Sequence, residues 1–282
     1  MKNFAALLFA SALAVPLAAS AVAPQGSTLP EGPLPSVVYR GDDLPPEYYK
    51  NLGGIPHEFE GKTDNRSYSL WWHNVGLDGW VGKMRGKNRH FNSAYAATSS
   101  RWSSALYFAV LTREQEFGWM YQIHATPNMI YLEGSGFAPP FTDEVEYAAL
   151  GGIRWDQIEA WLRVPKNVTS GDRKTFKSDG TLAKWALLEN FTKDFPDLKW
   201  VKNPDYNPAY NQYHGSEGQP QLGGRPIKVK GSLQLDIPRE FEGKSMEYHA
   251  IEFMNKVGGP VGWIGAFPLN FSAAADFSAA EI

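Results

Sequence analysis

The chain has 282 residues, of which 27 are Lys or Arg and 30 are Asp or Glu, so its net charge is −3. This balance gives no electrostatic case for nucleic-acid binding, and no nucleic-acid partner is expected. The lack of cysteine excludes a disulfide framework, a thiolate nucleophile and a thiolate metal site. With 43% hydrophobic residues, the chain can bury a sizeable core.

The N-terminus has the features of a secretory signal peptide. A lysine precedes an apolar run too short to cross a bilayer, and an Ala-x-Ala pattern ends at Ala21. Cleavage after Ala21 is favoured because Pro24 follows the other candidate bond. Residues 1–21 are therefore predicted to be a signal peptide and residues 22–35 an extended leader, so we expect a secreted, extracellular protein without a membrane span. In a eukaryotic host, N-glycosylation acceptors would be Asn65, Asn167, Asn190 and Asn270.

Residues 36–40 form a short β-prone run that ends before Gly41 and a Pro-Pro break. Arg40 lies at the end of this predicted strand. A planar guanidinium at a strand end can hold a phosphate or brace a loop. A surface ion pair is the simpler interpretation of a lone arginine. After it, residues 51–56 are predicted to turn into a mobile loop.

Residues 68–74 are an aromatic run that contains one histidine, His73. A histidine among aromatic side chains is more often a buried core residue than a catalyst. Residues 79–92 are rich in Gly, Lys and Arg and are predicted to be a solvated loop. Target recognition or phosphate steering is the alternative for this loop.

The following pattern predicts a helix or a helix-strand junction over residues 103–111 and a strand over residues 117–130 that is broken at Pro127. Residues 166–244 are polar, and a short amphipathic helix is predicted over residues 181–190. We expect residues 166–244 to be an insertion or lid, or else a separate receptor or linker segment.

Glu144 and Glu146 are separated by one residue beside an apolar segment. If that segment is extended, both side chains point to the same face. Two like charges on one face repel each other and are costly to desolvate. A functional site is therefore the more specific interpretation. The alternative is a solvated strand edge whose carboxylates face water. Residues 137–141, just before this pair, are expected to form the loop that faces a protein substrate.

Three motifs in this order resemble the cholera toxin and heat-labile enterotoxin A-chain family of mono-ADP-ribosyltransferases. They are Tyr-Arg-Gly-Asp-Asp-Leu-Pro-Pro at residues 39–46, Ala-Thr-Ser at residues 97–99, and Glu-Val-Glu at residues 144–146 followed by Ala-Leu-Gly-Gly-Ile. The resemblance covers roughly half of the chain. It implies an α+β fold in which two packed small β-sheets form an NAD cleft with flanking helices. The catalytic domain would span residues 36–275, with the insertion at about 166–244 and a tail at 276–282.

The resemblance also implies roles for individual residues. Arg40 would contact the phosphates of NAD, Glu146 would stabilise the ribose, and Glu144 would orient and deprotonate the acceptor. The remaining residues expected at the NAD site are Tyr39, Asp42, His73, Thr98 and Ser99. NAD would be a co-substrate, and no metal is expected.

The activity implied is transfer of ADP-ribose from NAD to arginine on a host protein by a secreted toxin or effector. A G-protein alpha subunit is the candidate target by family resemblance alone, and no particular binding subunit is predicted. The sequence departs from the family at position 97, where Ala97 replaces the first serine of the Ser-Thr-Ser motif. In the family, that serine is expected to support the catalytic glutamate. Its loss would remove a hydrogen bond of about 1 kcal/mol, which Thr98 or a water could replace.

Two other functions remain open from the sequence. A weakened or catalytically silent surface- or carbohydrate-binding protein would account for Ala97 and for the 10 Trp and 13 Tyr residues. A secreted glycoside hydrolase also uses two carboxylates, although neighbouring positions on one strand are an unusual way to flank a sugar bond.

Overall fold

The computed structural model describes residues 33–57, 65–75, 92–110, 116–136, 144–165, 168, 184–185, 187–229 and 232–272. In these residues the α-helices are α1 (Pro46–Leu52), α2 (Leu70–Val75), α3 (Trp102–Ala109), α4 (Leu188–Asp194) and α5 (Met246–Val257). The first six strands are β1 (Val37–Asp42), β2 (Gly54–Pro56), β3 (Tyr95–Ser99), β4 (Phe117–His124), β5 (Met129–Tyr131) and β6 (Glu146–Leu150). The others are β7 (Gly152–Arg154), β8 (Ile158–Pro165), β9 (Val201–Lys202), β10 (Arg225–Val229) and β11 (Ser232–Asp236).

The main sheet has seven strands in the order β5-β6-β3-β1-β4-β8-β9, and each neighbouring pair is antiparallel. Two further antiparallel pairs are β2 with β7 and β10 with β11. Helices and antiparallel sheets therefore occur together, and the predicted α+β class is confirmed.

The main sheet divides into two halves at the boundary between β1 and β3. Strand β3 pairs with β6 along its whole length, and β1 pairs with β4 along its whole length. Between them, the described register contains one pair, Tyr39 with Ser99. The two halves are β5-β6-β3 and β1-β4-β8-β9, and they remain joined in one seven-stranded sheet.

Side-chain alternation explains how the strands bury their apolar faces. In β8, Ile158, Ala160, Leu162 and Val164 are buried, and the residues between them are more exposed. This period of two places one face of the strand on a core and the other towards solvent. Strand β6 is different because every residue from Glu146 to Leu150 is buried. The carboxylate of Glu146 therefore enters the protein at the start of a fully covered strand.

Helix α3 lies directly against the backbone of two strands. A Cβ added to Gly41 of β1 would lie 1.8 Å from the carbonyl oxygen of Ala105, and one added to Gly118 of β4 would lie 1.7 Å from that of Ala109. These distances are impossible for real side chains, so glycine allows the close approach. Gly41 separates Arg40 from Asp42, which links this packing to the candidate site.

Helix α2 is anchored to the C-terminal part of the chain. The backbone nitrogen of Trp71 donates to the carbonyl oxygen of Gly223 over 3.0 Å, and the hydroxyl of Ser69 donates to the same oxygen over 2.9 Å. Nearby, Met246 of α5 is buried in the same apolar cluster as Tyr68 and Leu70. These contacts position the helix that carries His73.

Two predicted elements are corrected. Residues 54–56, expected in a mobile loop, form β2 because their backbone pairs with β7. Residues 181–183 and 186 of the helix expected over residues 181–190 lie outside the described residues, and Lys184 is helical. The last part of that span belongs to α4, which runs from Leu188 past residue 190 to Asp194, and its Phe191 packs into a cluster with Trp102 and Trp185. The helix prediction over residues 103–111 was close to the observed α3.

Part of the proposed insertion is joined to the main sheet. Strand β9 pairs with the outer edge of β8, and Ser216 exchanges backbone hydrogen bonds with the edge strand β5 through Met129 and Tyr131. These contacts cover sheet edges that would otherwise be open. The limits of the insertion remain a prediction.

Several predicted features lie outside the described residues. They are the signal peptide, most of the leader, the basic segment at 79–91, the predicted substrate-facing loop at 137–141 and the tail at 276–282. None of the described helices is both long and apolar enough to cross a membrane.

Candidate active site

Glu146 is a buried carboxylate with two nitrogen atoms beside it. Only 7% of its surface is exposed, and it is the first residue of β6, directly opposite Ser99 of β3. Nδ2 of Asn74 donates to its Oε2 over 2.8 Å, and Nε2 of His73 lies 2.7 Å from its Oε1. A buried carboxylate requires such partners because desolvation of an unpaired charge is very costly.

The histidine is oriented from its other side. Nδ1 of His73 lies 2.7 Å from Oγ of Ser93, so the two ring nitrogens face a hydroxyl and a carboxylate. The approach of Nε2 to Glu146 is close but lacks the alignment of a hydrogen bond.

Arg40 is fixed by an acid on its own strand and by the neighbouring strand. Its Nε and Nη2 donate to Oδ2 of Asp42 over 3.0 and 2.8 Å, and its Nη1 donates to the carbonyl oxygen of Ala97 over 2.9 Å. The guanidinium therefore bridges β1 and β3 where their pairing ends. It joins the two halves of the main sheet.

Asp42 is in turn held by several donors. The hydroxyl of Tyr49 donates to Oδ2 over 2.7 Å, and the backbone nitrogens of Asp43 and Leu44 donate to Oδ1. Burial raises the pKa of Tyr49, and Arg40 partly opposes this effect. The phenol therefore stays protonated and remains a donor. Asp42 acts here as the support of Arg40.

The structure places three of the predicted site residues around strand β3. Arg40 bonds Ala97 of β3 from one side, and Glu146 lies opposite Ser99 on the other side of β3. His73 reaches Glu146 from α2. Residues from two neighbouring strands and one helix are thus arranged around the five residues of β3.

The Glu-Val-Glu segment is not an extended strand, which corrects a premise of the sequence analysis. Strand β6 begins at Glu146, and Val145 has a φ angle of 45°. A left-handed backbone is a true outlier for a β-branched residue and commonly stores about 1–3 kcal/mol of strain. The hydroxyl of Ser99 donates to the carbonyl oxygen of Glu144 and holds this kink. The period of two therefore cannot be used to align Glu144 with Glu146.

The hydroxyls of Thr98 and Ser99 are used within the sheet. Thr98 donates to the carbonyl oxygen of Tyr147 over 2.6 Å, and the backbone nitrogen of Arg101 donates to Ser99 over 2.9 Å. Thr98 therefore does not replace a hydroxyl missing at Ala97. Tyr39 packs edge-on against Trp102, with ring centroids 5.3 Å apart. Contact of these side chains with NAD stays a prediction.

Sequence reasoning missed Asn74. An asparagine beside a histidine carries no recognisable signal, and only the packing of α2 against β6 brings it to the carboxylate. Among the described residues, no group of three or more His, Cys, Asp or Glu side chains could hold a metal ion.

Comparison with known proteins now identifies the family. The sequence model described as heat-labile enterotoxin alpha chain matches residues 34–183, which is just over half of the 282 residues. The chain belongs to this family. Membership in the enterotoxin alpha chain family also accounts for the ADP-ribosyltransferase fold that the motifs implied.

This chain aligns with only part of the length of its relatives in the enterotoxin alpha chain family. The A-chain of cholera enterotoxin from Vibrio cholerae is 30% identical over 129 residues, which is 45% of this chain and 49% of that protein. The NAD(+)–arginine ADP-ribosyltransferase Chelt of Vibrio cholerae is 28% identical over 203 residues, which is 68% of this chain and 31% of that protein. The chain thus spans about half or less of these relatives.

Solved structures with similar chains include family members and a further toxin. An Escherichia coli heat-labile enterotoxin mutant is 21% identical, with a TM-score of 0.46 over 68% of this chain and 91% of that chain. The scabin toxin from Streptomyces scabies in complex with NADH is 20% identical, with a TM-score of 0.33 over 61% of this chain and 76% of that chain.

Proposed function

We propose that the chain is a toxin-type mono-ADP-ribosyltransferase that moves ADP-ribose from NAD to arginine on a host protein and releases nicotinamide. The observation that carries the proposal is the buried carboxylate of Glu146, held beside Asn74 and His73 and one strand away from Arg40. Membership in the enterotoxin alpha chain family supports it, as does the likeness to a relative named for this reaction.

The carboxylate of Glu146 suits the bond-breaking step. The bond between C1′ of the ribose and the nicotinamide nitrogen breaks, and its electron pair leaves with nicotinamide, which becomes neutral. Positive charge grows on the ribose. Glu146 accepts a hydrogen bond from a ribose hydroxyl and stabilises that charge. Because neighbouring side chains already hold the carboxylate, little reorganisation is needed when the charge develops.

Arg40 supplies the opposite charge. Its guanidinium binds the pyrophosphate of NAD through charge-assisted hydrogen bonds, while Asp42 and the Ala97 carbonyl keep it in place. Fixing the phosphates and the ribose together restricts the geometry of the departing bond. Tyr39, Thr98 and Ser99 shape the surrounding sheet.

Glu144 acts on the acceptor. A guanidinium nitrogen of the host arginine attacks C1′, and its proton passes to Glu144. In the family, a glutamate at this first position goes with arginine acceptors. A G-protein alpha subunit is the proposed target by that resemblance, and export from the producing cell would precede the reaction.

Incubation of the purified protein with NAD tests the proposal. Free nicotinamide is measured by chromatography, with either arginine or lysine supplied as the acceptor and Glu146→Gln as the matched control variant. We expect release by the wild-type protein, an ADP-ribosylated product with arginine alone, and no release by the variant. No release by folded wild-type protein, as a silent binding protein or a glycoside hydrolase would give, overturns the proposal.

A further inference from the structure

Asn74 is the strongest unexplained feature of the candidate site. It lies next to His73 on α2, 8% of its surface is exposed, and its Nδ2 donates to Oε2 of Glu146 over 2.8 Å. A hydrogen bond from a neutral amide to a buried carboxylate is charge-assisted and stronger than an ordinary one. An asparagine with no task at this position would be costly to bury.

Strand β3 supplies no hydroxyl to Glu146. Ala97 pairs with Ala148 and Ser99 pairs with Glu146, so the side chain of Ala97 lies on the face of the sheet that carries Glu146. Ala97 is exposed and its methyl group cannot donate. The single hydroxyl hydrogen of Ser99 lies within reach of the carbonyl oxygens of Glu144 and Arg101.

Thr98 is on the opposite face and donates to the carbonyl oxygen of Tyr147. The amide of Asn74 therefore does what a hydroxyl at position 97 would otherwise do. It reaches the same carboxylate from a helix instead of from the neighbouring strand.

We propose that Asn74 is the positioning residue for Glu146, replacing the hydroxyl that Ala97 lacks, and that its carbonyl oxygen accepts a hydrogen bond from the nicotinamide riboside half of NAD. This inference rests on the proposed function. With His73 beside Oε1 and Asn74 on Oε2, the plane of the carboxylate is set from two sides. A carboxylate has about four acceptor sites, so a ribose hydroxyl can still bind.

The orientation of the amide follows from chemistry. An ionised carboxylate only accepts, so the Asn74 group that faces Glu146 must be the NH₂. Oδ1 then points away, and it is buried without a hydrogen-bond partner among the described residues. Such an acceptor calls for a donor from outside. The ribose hydroxyls and the carboxamide NH₂ of NAD are donors of the required kind.

Nicotinamide release by four variants separates the two tasks of Asn74. Asn74→Ala is expected to lower kcat about 10- to 100-fold and to raise the KM for NAD. The double variant Asn74→Ala with Ala97→Ser is expected to recover most of kcat, because the new hydroxyl can hold Glu146, while KM stays raised. Ala97→Ser alone keeps the backbone carbonyl that holds Arg40 and provides the reference rate for the double variant. Asn255→Ala, at an exposed asparagine that accepts from Trp263, is the matched control and should behave as the wild type.

Wild-type kcat in folded Asn74→Ala, or no recovery in the double variant, overturns the inference while the proposed function stands. If Asn74→Ala does not fold, the isosteric Asn74→Asp replaces it; because its carboxylate repels Glu146, kcat should fall, and unchanged kcat overturns the inference. If the wild type releases no nicotinamide, the proposed function fails instead. Crystal structures of the wild type and the folded variant then decide: a shift of the Glu146 carboxylate beyond about 0.5 Å supports the positioning role, and an unmoved carboxylate rejects it.

Discussion

Nε2 of His73 lies 2.7 Å from Oε1 of Glu146, and both side chains are buried. The contact joins a helix to the first residue of the fully covered strand β6. The place of the carboxylate therefore depends on how α2 packs as well as on the sheet. Ser93 completes the arrangement by orienting the ring through Nδ1.

Replacing His73 tests this contact. We expect His73→Ala to lower the rate of nicotinamide release about 10- to 100-fold, because Glu146 loses a close partner in a buried site. Ser93→Ala should have a smaller effect, since the ring keeps its place on the helix and loses only its orienting partner. Initial rates at saturating NAD measure both. A larger loss of rate from Ser93→Ala than from His73→Ala would contradict this prediction.

The two glutamates are expected to respond differently to amide substitution. Glu146→Gln should abolish both transfer and NAD hydrolysis, because the neutral side chain cannot stabilise positive charge on the ribose. Glu144→Gln should stop transfer to arginine but leave some hydrolysis, because the proton acceptor is lost while the ribose site remains. Free nicotinamide and ADP-ribosylated arginine are measured together, and circular dichroism checks the fold. Equal wild-type rates of nicotinamide release in both variants would refute the roles.

The close approach of α3 predicts a pair of glycine effects. Gly41→Ala and Gly118→Ala each place a methyl group too close to a backbone carbonyl oxygen of α3. Each should therefore destabilise the protein by about 1–3 kcal/mol or more. Urea unfolding measures this loss. Gly41→Ala should also reduce NAD turnover per folded molecule, because the flanking Arg40 and Asp42 must move. Gly118→Ala is the comparison: Gly118 is not a chain neighbour of Arg40 or Asp42, but it adjoins Trp119, which pairs with Asp42, so its effect on turnover should be smaller than that of Gly41→Ala.

Glu159 predicts how stability depends on acid. Burial of Glu159 favours its protonated form, but hydrogen bonds from His124 and Gln122 and the charge of His124 lower its pKa below the ordinary 4.5. The unfolded chain therefore binds the proton more readily. The stability contributed by Glu159 is complete above about pH 4.5 and is lost as the pH falls through the folded pKa.

The variant Glu159→Gln tests this dependence. It should be less stable than the wild type at pH 7, and the difference should narrow as the solution is acidified below pH 4.5. Thermal unfolding across pH 3 to 7 provides the comparison. A constant difference over that range would assign the loss to packing instead of to the charge.

Some errors of the sequence analysis have a common physical origin. The Glu-Val-Glu pattern predicted an extended segment with both carboxylates on one face. Instead, the chain bends just before β6, where Val145 has a φ angle of 45°. Residues 54–56 were expected to be a loop, yet β7 offers them a pairing edge. Local propensity competes with tertiary contacts, and in both segments the tertiary contacts win.

The sequence alone determined the family and, through that resemblance, the α+β class, because the motifs and their order are properties of the chain itself, and the family match and the observed sheets confirm both. It also named Arg40, His73 and Glu146 as residues for one site. How Glu146 is held was decided only by tertiary structure. Hydrogen bonds from α2 to β6 depend on the packing of segments distant in sequence, and no local pattern in the chain records that packing.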